Sequence, residues 1–347
     1  MEQFGKSIAP LLRHKRDYFT KNDALLENSE RIALQYAAQP MRAGCKNCAT
    51  APAAQPVLSK QRIAYWQCGT CGHVNGAYED TAAFGTETYT GHGAANYAQN
   101  YTAADRAAFE QRCADIYIPK ARFLCEAMER EGATVQSLAF ADFGAGSGYF
   151  VHALRTLGGD AVGYEVSPDQ VAYGNATIGA PILQRIGLHE IESLARTTTR
   201  SVVSMIGLLE HLERPTQVMR LLGENPAVRY VFVTVPLFSP TVFFEAAFPS
   251  VHPRHLGGRH THLYSDRSLA WLERATGFER CAEWWFGTDM ADLYRSIHVT
   301  LAAQRQDPSA IALWEEMFLP CLDDLQLILD HRKVASEVQL VLRKARR

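Results

Sequence analysis

One run constrains this chain more than any other: Asp142-Phe143-Gly144-Ala145-Gly146-Ser147-Gly148-Tyr149-Phe150. It ends an apolar segment, SLAFADF at 137–143, and opens an apolar helical pattern from Gly148. Glycines at alternate positions let the backbone turn sharply and approach a ligand closely, so the run predicts a strand, a tight loop and a helix in succession. Apolar strands are expected near 160–166, 201–207 and 230–236, with helical patterns starting at Pro168 and Pro215. Short apolar strands alternating with helices imply a parallel sheet covered on both faces, a doubly wound α/β fold. A helix from Asp266, a strand near 278–286, helices to about 331 and a last strand at 336–342 complete the pattern.

A dinucleotide-binding loop needs G-x-G-x-x-G. Counted from Gly144, the third glycine falls on Tyr149, and no basic residue in the loop awaits a phosphate. The observed D-x-G-x-G-x-G instead closely resembles the first motif of class I S-adenosylmethionine-dependent methyltransferases. The resemblance implies a Rossmann-like sheet with an antiparallel last strand. It also implies that Asp142, Gly144, Ala145, Gly146, Gly148 and Tyr149 surround the methionine part of that cofactor. An acidic residue closing the second strand would receive the ribose hydroxyls. Glu165, followed by Val166, stands where one helix plus one strand would end after Asp142. A carboxylate suits a diol because it accepts two hydrogen bonds. The plain alternative is a glycine turn that merely closes a βα unit.

The run Leu208-Leu209-Glu210-His211-Leu212-Glu213-Arg214-Pro215 looks like the same family's segment bordering the methionine end, with Leu208 and Glu210 near the cofactor and His211 toward the acceptor. It could equally be a capping turn with Pro215 as the first helical residue. Relatives that bind a divalent metal here carry a glutamate three residues before Glu210, and this chain has Gly207.

Two cysteine pairs, Cys45-Lys-Asn-Cys48 and Cys68-Gly-Thr-Cys71, have the spacing of a zinc ribbon. Four sulfurs leave no open position, so the zinc would be structural. The rival is a redox pair, which would not call for a second one. Gly69 and Gly72 suit the second knuckle, while the first carries Ala49 where glycine is more usual. Cys113, Cys125, Cys281 and Cys321 read as buried thiols. A four-cysteine ribbon ahead of such a core resembles deoxysugar C-methyltransferases and methyltransferases encoded with bacterial surface-glycan genes. The C-terminal domain of the former has no room here, since only residues 287–347 follow the sixth strand.

Four of the 12 histidines, His252, His255, His260 and His262, crowd a Pro-rich insertion at 237–265. Such a loop would overhang the transferring methyl group, with Gly257-Gly258 as a hinge. The other readings are a second zinc site at His260 and His262, which share one face of an extended strand, or hydrogen-bonded loop anchors. Methyl transfer from a sulfonium is a direct displacement, and the acceptor's proton must leave. Histidine suits that task near its ordinary pKa of ~6.5. His262, His260 and His211 are the candidates, in that order, and Tyr97, Tyr101 and Tyr149 the candidate aromatic lining.

The expected organisation is a helical extension at 1–40, the ribbon at 41–80, an aromatic flap and lead-in helix at 81–131, and the methyltransferase domain at 132–347. With 35 Lys+Arg against 37 Asp+Glu, the chain is no general nucleic-acid binder. Its most apolar stretch, Tyr230 to Phe248, is broken by Pro236, Pro240 and Glu245, so membrane insertion is not expected. Lys6, Arg13, His14, Lys15 and Arg16 stand where a signal peptide needs apolar residues, which points to the cytoplasm. Three functions follow: methylation of a small sugar-type acceptor in surface-polysaccharide or natural-product synthesis; O-methylation of a quinol or other aromatic, with Trp284-Trp285-Phe286 and Phe243-Phe244 as its bed; or a zinc-ribbon adaptor with a degenerate core, presenting Lys46, Lys60 and Arg62.

Overall fold

The computed structural model describes residues 1–14, 17–53, 55–89, 105–257, 260–305 and 307–345. Tyr97, Tyr101 and Gly258 lie outside them. The chain builds two sheets. In chain order the strands are β1 (Glu2–Phe4), β2 (Leu58–Lys60), β3 (Ile63–Gln67), β4 (Val74–Gly76), β5 (Ala139–Phe143), β6 (Asp160–Glu165), β7 (Leu183–Arg185), β8 (Val202–Ile206), β9 (Tyr230–Pro236), β10 (His262–Leu263), β11 (Phe278–Phe286) and β12 (Glu337–Lys344). The large sheet runs β1-β11-β12-β9-β8-β5-β6-β7. The pairs from β9 through β8, β5 and β6 to β7 are parallel, and β12 is antiparallel to both β9 and β11. This is the doubly wound sheet with an antiparallel last strand expected from the sequence.

Alternation along the strands produces the two layers. Phe140 of β5 and Tyr230 and Phe232 of β9 join one apolar cluster; Ala141, Phe143, Val231, Val233 and Val235 join the other. A period of two sends successive side chains to opposite faces, so near-continuous apolar strands need helices on both sides. Helices Tyr149–Thr156 and Ile118–Arg130 contribute to the first cluster, and Pro215–Glu224 and Asp266–Thr276 to the second. The strand order reverses at β5, with β6 on one side and β8 on the other. In open α/β sheets a crevice forms at the carboxyl ends of the strands at such a point.

Two strands escaped the sequence reading because they are too short for periodicity to register. Glu2–Phe4, within the supposed helical extension, pairs in parallel with β11. Leu183–Arg185 pairs with β6 at the opposite edge. The remainder of 1–40 is helical over Ala9–His14, Asp17–Thr20 and Asn22–Ala37.

The small sheet, β10-β4-β3-β2, ties the ribbon to the insertion. β10 belongs to the His-rich segment, yet it pairs antiparallel with β4 of the ribbon, His262 opposite Asn75. The expected hinge is tied down as well. Ser29 Oγ donates to the Gly257 carbonyl at 3.0 Å, and Glu245 accepts from the backbone N–H of His255 at 2.8 Å while pairing with Lys60. The 237–265 segment is thus held both by β4 and by the helix that carries Ser29.

At the knuckles, Gly72 takes φ +78°, as expected, whereas Gly69 adopts no left-handed conformation. Ala49, the counterpart of Gly72, is forced to φ +60°. A side chain in that region costs about 1–2 kcal/mol, offset in part by the lower unfolded-chain entropy of alanine. Ala49→Gly is therefore expected to raise the thermal midpoint by the equivalent of about 0.5–1 kcal/mol. A lowered midpoint in metal-loaded protein counts against strain at this knuckle.

Candidate functional site

The glycine run turns directly above β5. Gly144, Gly146 and Gly148 hold φ values of +70°, +55° and +80°, which residues with side chains rarely adopt. The N–H groups of Gly144 and Ala145 both donate to the Tyr164 carbonyl, at 2.8 and 3.0 Å, stitching the loop to the end of β6. Close approach is equally demanding behind the loop: a Cβ on Gly163 would lie 2.6 Å from the Ala145 methyl and 2.6 Å from Leu183. On the other side a Cβ on Gly144 would meet a Leu208 methyl at 2.9 Å. Leu208 therefore packs directly against the loop at Gly144.

Glu165 is buried at the end of β6 and accepts three backbone hydrogen bonds: Gly146 N–H at 2.8 Å on Oε2, Val166 N–H at 2.8 Å and Ser167 N–H at 2.9 Å on Oε1. An ionised carboxylate offers about four acceptor positions, so about one remains for a ribose hydroxyl, and gripping both hydroxyls requires Gly146 to release its bond. Asp142 is also buried, its Oδ1 accepting from Ser204 Oγ at 2.6 Å. Burial pushes its carboxyl up to about 7 against the pull of that hydroxyl, and the negative charge of Glu165 adds to the rise. A cationic ligand group beside it would draw the proton off. The left-handed glycine cradle and the two carboxylates fit an amino-acid-tailed sulfonium nucleoside.

The ring of Tyr149, the first residue of the helix after the loop, turns into the core. It stacks between Phe109 (4.3 Å between centroids, 18°) and Tyr117 (5.1 Å, 10°), buried in the first apolar cluster. Tyr117, close enough to Asp142 to feel its charge, went unnoticed in the sequence. It ends Cys113–Tyr117, a widened π turn between helices Arg106–Arg112 and Ile118–Arg130, and such turns recur at functional sites.

A cleft opens at the carboxyl ends of β8 and β9, reached from the glycine loop across Gly207 and Leu208. Glu210, Thr234, His260, His255, Arg254 and Lys120 give it its polar lining. The charges are paired internally: Arg254 Nη1 reaches both Asp292 oxygens at 3.0 Å, and Lys120 lies 3.3 Å from Glu337. Neither cation carried a sequence signal, because neither stands in a recognisable motif.

The three candidate histidines separate. His260 lines the cleft, its Nδ1 donating to the His255 carbonyl at 3.1 Å. His211 stacks against it, ring centroids 4.9 Å apart, with the Tyr89 hydroxyl 2.7 Å from its Nδ1. Glu210, His211 and His260 bring one ligand-type atom each to within 4.8 Å of one another. Burial pushes the Glu210 carboxyl up to about 8, and burial holds His260 well below the usual histidine range. His262, ranked first from the sequence, is a correction. It is fully enclosed, its Nδ1 2.8 Å from Nε2 of His73, at the seam between ribbon and core. His262 sits within β10, where its ring meets His73, whereas His260 lies outside that strand, two residues before it, and turns into the cleft. The second-zinc reading of His260 with His262 fails for the same reason.

The four ribbon cysteines do converge. Cys45 and Cys71 Sγ lie 3.6 Å apart, Cys48 and Cys68 Sγ 3.4 Å, and all four within 4.8 Å. Tetrahedral zinc–thiolate bonds of about 2.3 Å place sulfurs at nearly such separations, so the donor set fits zinc. Of the other thiols, Cys113 and Cys125 are buried as expected, Cys281 is half-buried and Cys321 is exposed. Of the supposed aromatic bed, Trp284, Trp285 and Phe286 are buried core, whereas Phe243 is exposed and Phe244 half-buried. Lys46 pairs with Asp80 and Lys60 with Glu245, both inside the protein, leaving Arg62 alone of the three on the ribbon surface. No helix among the described residues is long and apolar enough to cross a membrane.

Residues 117–282 match a family model described as a methyltransferase domain. No curated protein matches the chain in sequence. Among solved structures, magnesium protoporphyrin IX methyltransferase of Synechocystis PCC 6803 with bound SAH is 11% identical, covering 76% of this chain and 100% of its own at a TM-score of 0.47. The plantazolicin methyltransferase BpumL in complex with SAH is 12% identical, covering 76% and 94% at 0.44. Geranyl diphosphate C-methyltransferase of Streptomyces coelicolor A3(2), with Mg2+, geranyl diphosphate and S-adenosyl-L-homocysteine, is 8% identical, covering 68% and 83% at 0.43.

The raised Asp142 carboxyl sets a pH signature. In the unfolded chain aspartate titrates near ~3.9, so the folded state binds this proton more tightly. Its contribution to stability falls as pH rises from about 4 to about 7, then levels. Asp142→Asn keeps an acceptor for Ser204 and removes the titration. Relative to the natural chain, its thermal midpoint is expected to climb between about pH 4.5 and about pH 8. A difference flat with pH contradicts the shift.

Proposed function

We propose that the protein is an S-adenosylmethionine-dependent methyltransferase and that it methylates a small, polar, sugar-type acceptor, such as a nucleotide-linked sugar of surface-polysaccharide or natural-product synthesis. One observation carries the reading. The cleft that His260 lines carries two carboxylates, two histidines, three hydroxyls and two paired cations beside the aliphatic Ile206, Val235 and Pro236, with no phenylalanine, tyrosine or tryptophan among the described residues of its wall. A hydroxyl-rich ligand exchanges its water hydrogen bonds for such groups, whereas a flat apolar quinol would leave them unpaired. The buried ribbon cations speak against the adaptor reading as well, since nucleic acid needs exposed ones.

In this reading the loop from Gly144 to Gly148 holds the amino-acid end of the cofactor, Glu165 and Val166 the ribose, and Leu208 and Glu210 the methionine side. The acceptor's proton leaves at the Glu210–His211–His260 cluster, where His260 faces the cleft. Displacement at a sulfonium needs acceptor and leaving group in line, so much of the acceleration comes from positioning. Cys45, Cys48, Cys68 and Cys71 hold a structural zinc that fixes β4, and through β10 the segment carrying His260.

Glu165→Gln is expected to weaken S-adenosylmethionine binding, followed calorimetrically, by about 10- to 100-fold, the loss of a hydrogen bond to a charged group. Absence of binding by the natural chain would favour the adaptor. His260→Gln and His211→Gln should each lower methyl incorporation into nucleotide-linked sugars by about 100-fold or more while cofactor affinity holds. Unchanged turnover in both would remove the cluster from the chemistry.

A further inference from the structure

Two groups of charges reach the cleft, and each holds two cations for one carboxylate. In the first, Arg254 and Arg295 share Asp292, at 3.0 and 3.7 Å. In the second, Lys120 lies 3.3 Å from Glu337, and Lys6 feels the charges of both. Lys6 follows β1, whose pairing with β11 brings it over the Phe286 ring, 5.1 Å from the centroid, where Lys120 also stands at 5.7 Å. Burial and the neighbouring Lys120 ammonium push Lys6 down to about 8. Burial also keeps Glu210 protonated at neutral pH, and Glu245 is matched by Lys60, so neither offsets the surplus. Like charges gathered at a partly buried site are costly until an anion joins them.

A second observation points the same way. Thr234 lines the cleft, yet its buried hydroxyl has no hydrogen-bond partner among the described residues. Gln339, opposite Thr234 on β12, is buried with both amide atoms unpartnered among them. Glu337 and Gln339 stand two apart on that strand and so share the face on which Lys120 meets Glu337. Arg295 is buried too, its Nε and Nη1 without partners among the described residues. Buried polar groups in native folds are paired, so orphaned donors beside surplus cations call for acceptor oxygens that carry negative charge. Arg254 is held ready for one: its Nη1 donates to both Asp292 oxygens and, at 2.9 Å, to Thr288 Oγ1, which fixes the guanidinium at the cleft wall.

We infer that the cleft selects an acceptor bearing an anionic oxygen group, phosphoryl or carboxylate, held by Lys120, Arg254 and the Thr234 hydroxyl. Lys6 and Arg295 stand outside the lining and set the potential within it. A nucleoside-diphosphate link or the acid group of an acidic sugar supplies the same chemistry, whereas a neutral sugar leaves the positive surplus uncompensated. This selection builds on the sugar-acceptor reading for the acceptor's class, while the anion subsite stands on these charges and donors alone.

The test titrates inorganic pyrophosphate, glucuronate and glucose into the full chain, with and without S-adenosylhomocysteine, and follows the heat released. We expect one anion bound per chain, no heat from glucose, and binding about tenfold weaker or worse in Lys120→Met and Arg254→Gln. Arg254→Gln strands Asp292 and can unfold the chain, so Lys6→Met serves beside it: every lining residue stays, a repulsion goes, and binding should weaken about threefold. Pyrophosphate alone as ligand identifies a phosphoryl group, glucuronate alone a carboxylate, and either supports the inference. Binding of neither anion, or undiminished binding in both Lys120→Met and Lys6→Met, overturns it. Turnover separates it from the acceptor reading. Equal kcat/KM for a nucleotide-linked sugar and for the same sugar as its methyl glycoside overturns anion selection while that reading stands. Anion binding in an enzyme that methylates no sugar overturns that reading and leaves the subsite.

Discussion

Glu165 accepts hydrogen bonds from Gly146, Val166 and Ser167 at once, joining the glycine loop to the end of β6 through a single buried carboxylate. The rest of the site inherits its geometry from that junction. It holds the loop against the Tyr164 carbonyl, keeps the glycines in conformations a side chain would resist, and sets Leu208 against Gly144. In the proposed reading the same carboxylate receives the cofactor's ribose, so ligand entry and loop anchoring would compete for its lone pairs. Competition of this kind couples occupancy of the cradle to the conformation of the loop, because a ligand shifts a structure only by binding one state better than another.

The ribbon shares in the site. It docks on the core through hydrogen bonds at several points: Asn47 to the Ser268 carbonyl, Thr216 to the Asn47 carbonyl, Arg267 to the Gly69 and Thr70 carbonyls, and His73 to His262. Through β4 and β10 it also dictates where His260 stands. A small domain with little core of its own gains rigidity from a four-thiolate centre. Rigidity there reaches the cleft that His260 lines along two residues of backbone.

The sequence made the core legible where its physics is local. Alternating apolar strands, three glycines at spacing two and paired CxxC knuckles each express a local rule, and β5, β6, β8, β9, β11 and β12 appear within a residue or two of expectation. What it concealed depends on partners distant in the chain. Glu2–Phe4 is a strand only because β11 offers an edge, and Leu183–Arg185 only because β6 does. His260 and His262 look equivalent in a run of histidines. Strand pairing separates them, sending one to the cleft and the other to His73. Tyr149 follows the loop's last glycine, yet Phe109 and Tyr117, from a segment with no motif of its own, draw it into a stack. Lys120 and Arg254 meet at one cleft from opposite ends of the fold.

The account turns on whether the cradle above β5 receives the sulfonium nucleoside. A crystal grown with S-adenosylhomocysteine measures this most directly. It should show the ribose within hydrogen-bonding reach of Glu165, the amino-acid tail against Gly144 to Gly146, and the sulfur facing the cleft of His260. A vacant crevice, or one that a pyridine dinucleotide fills instead, would contradict it.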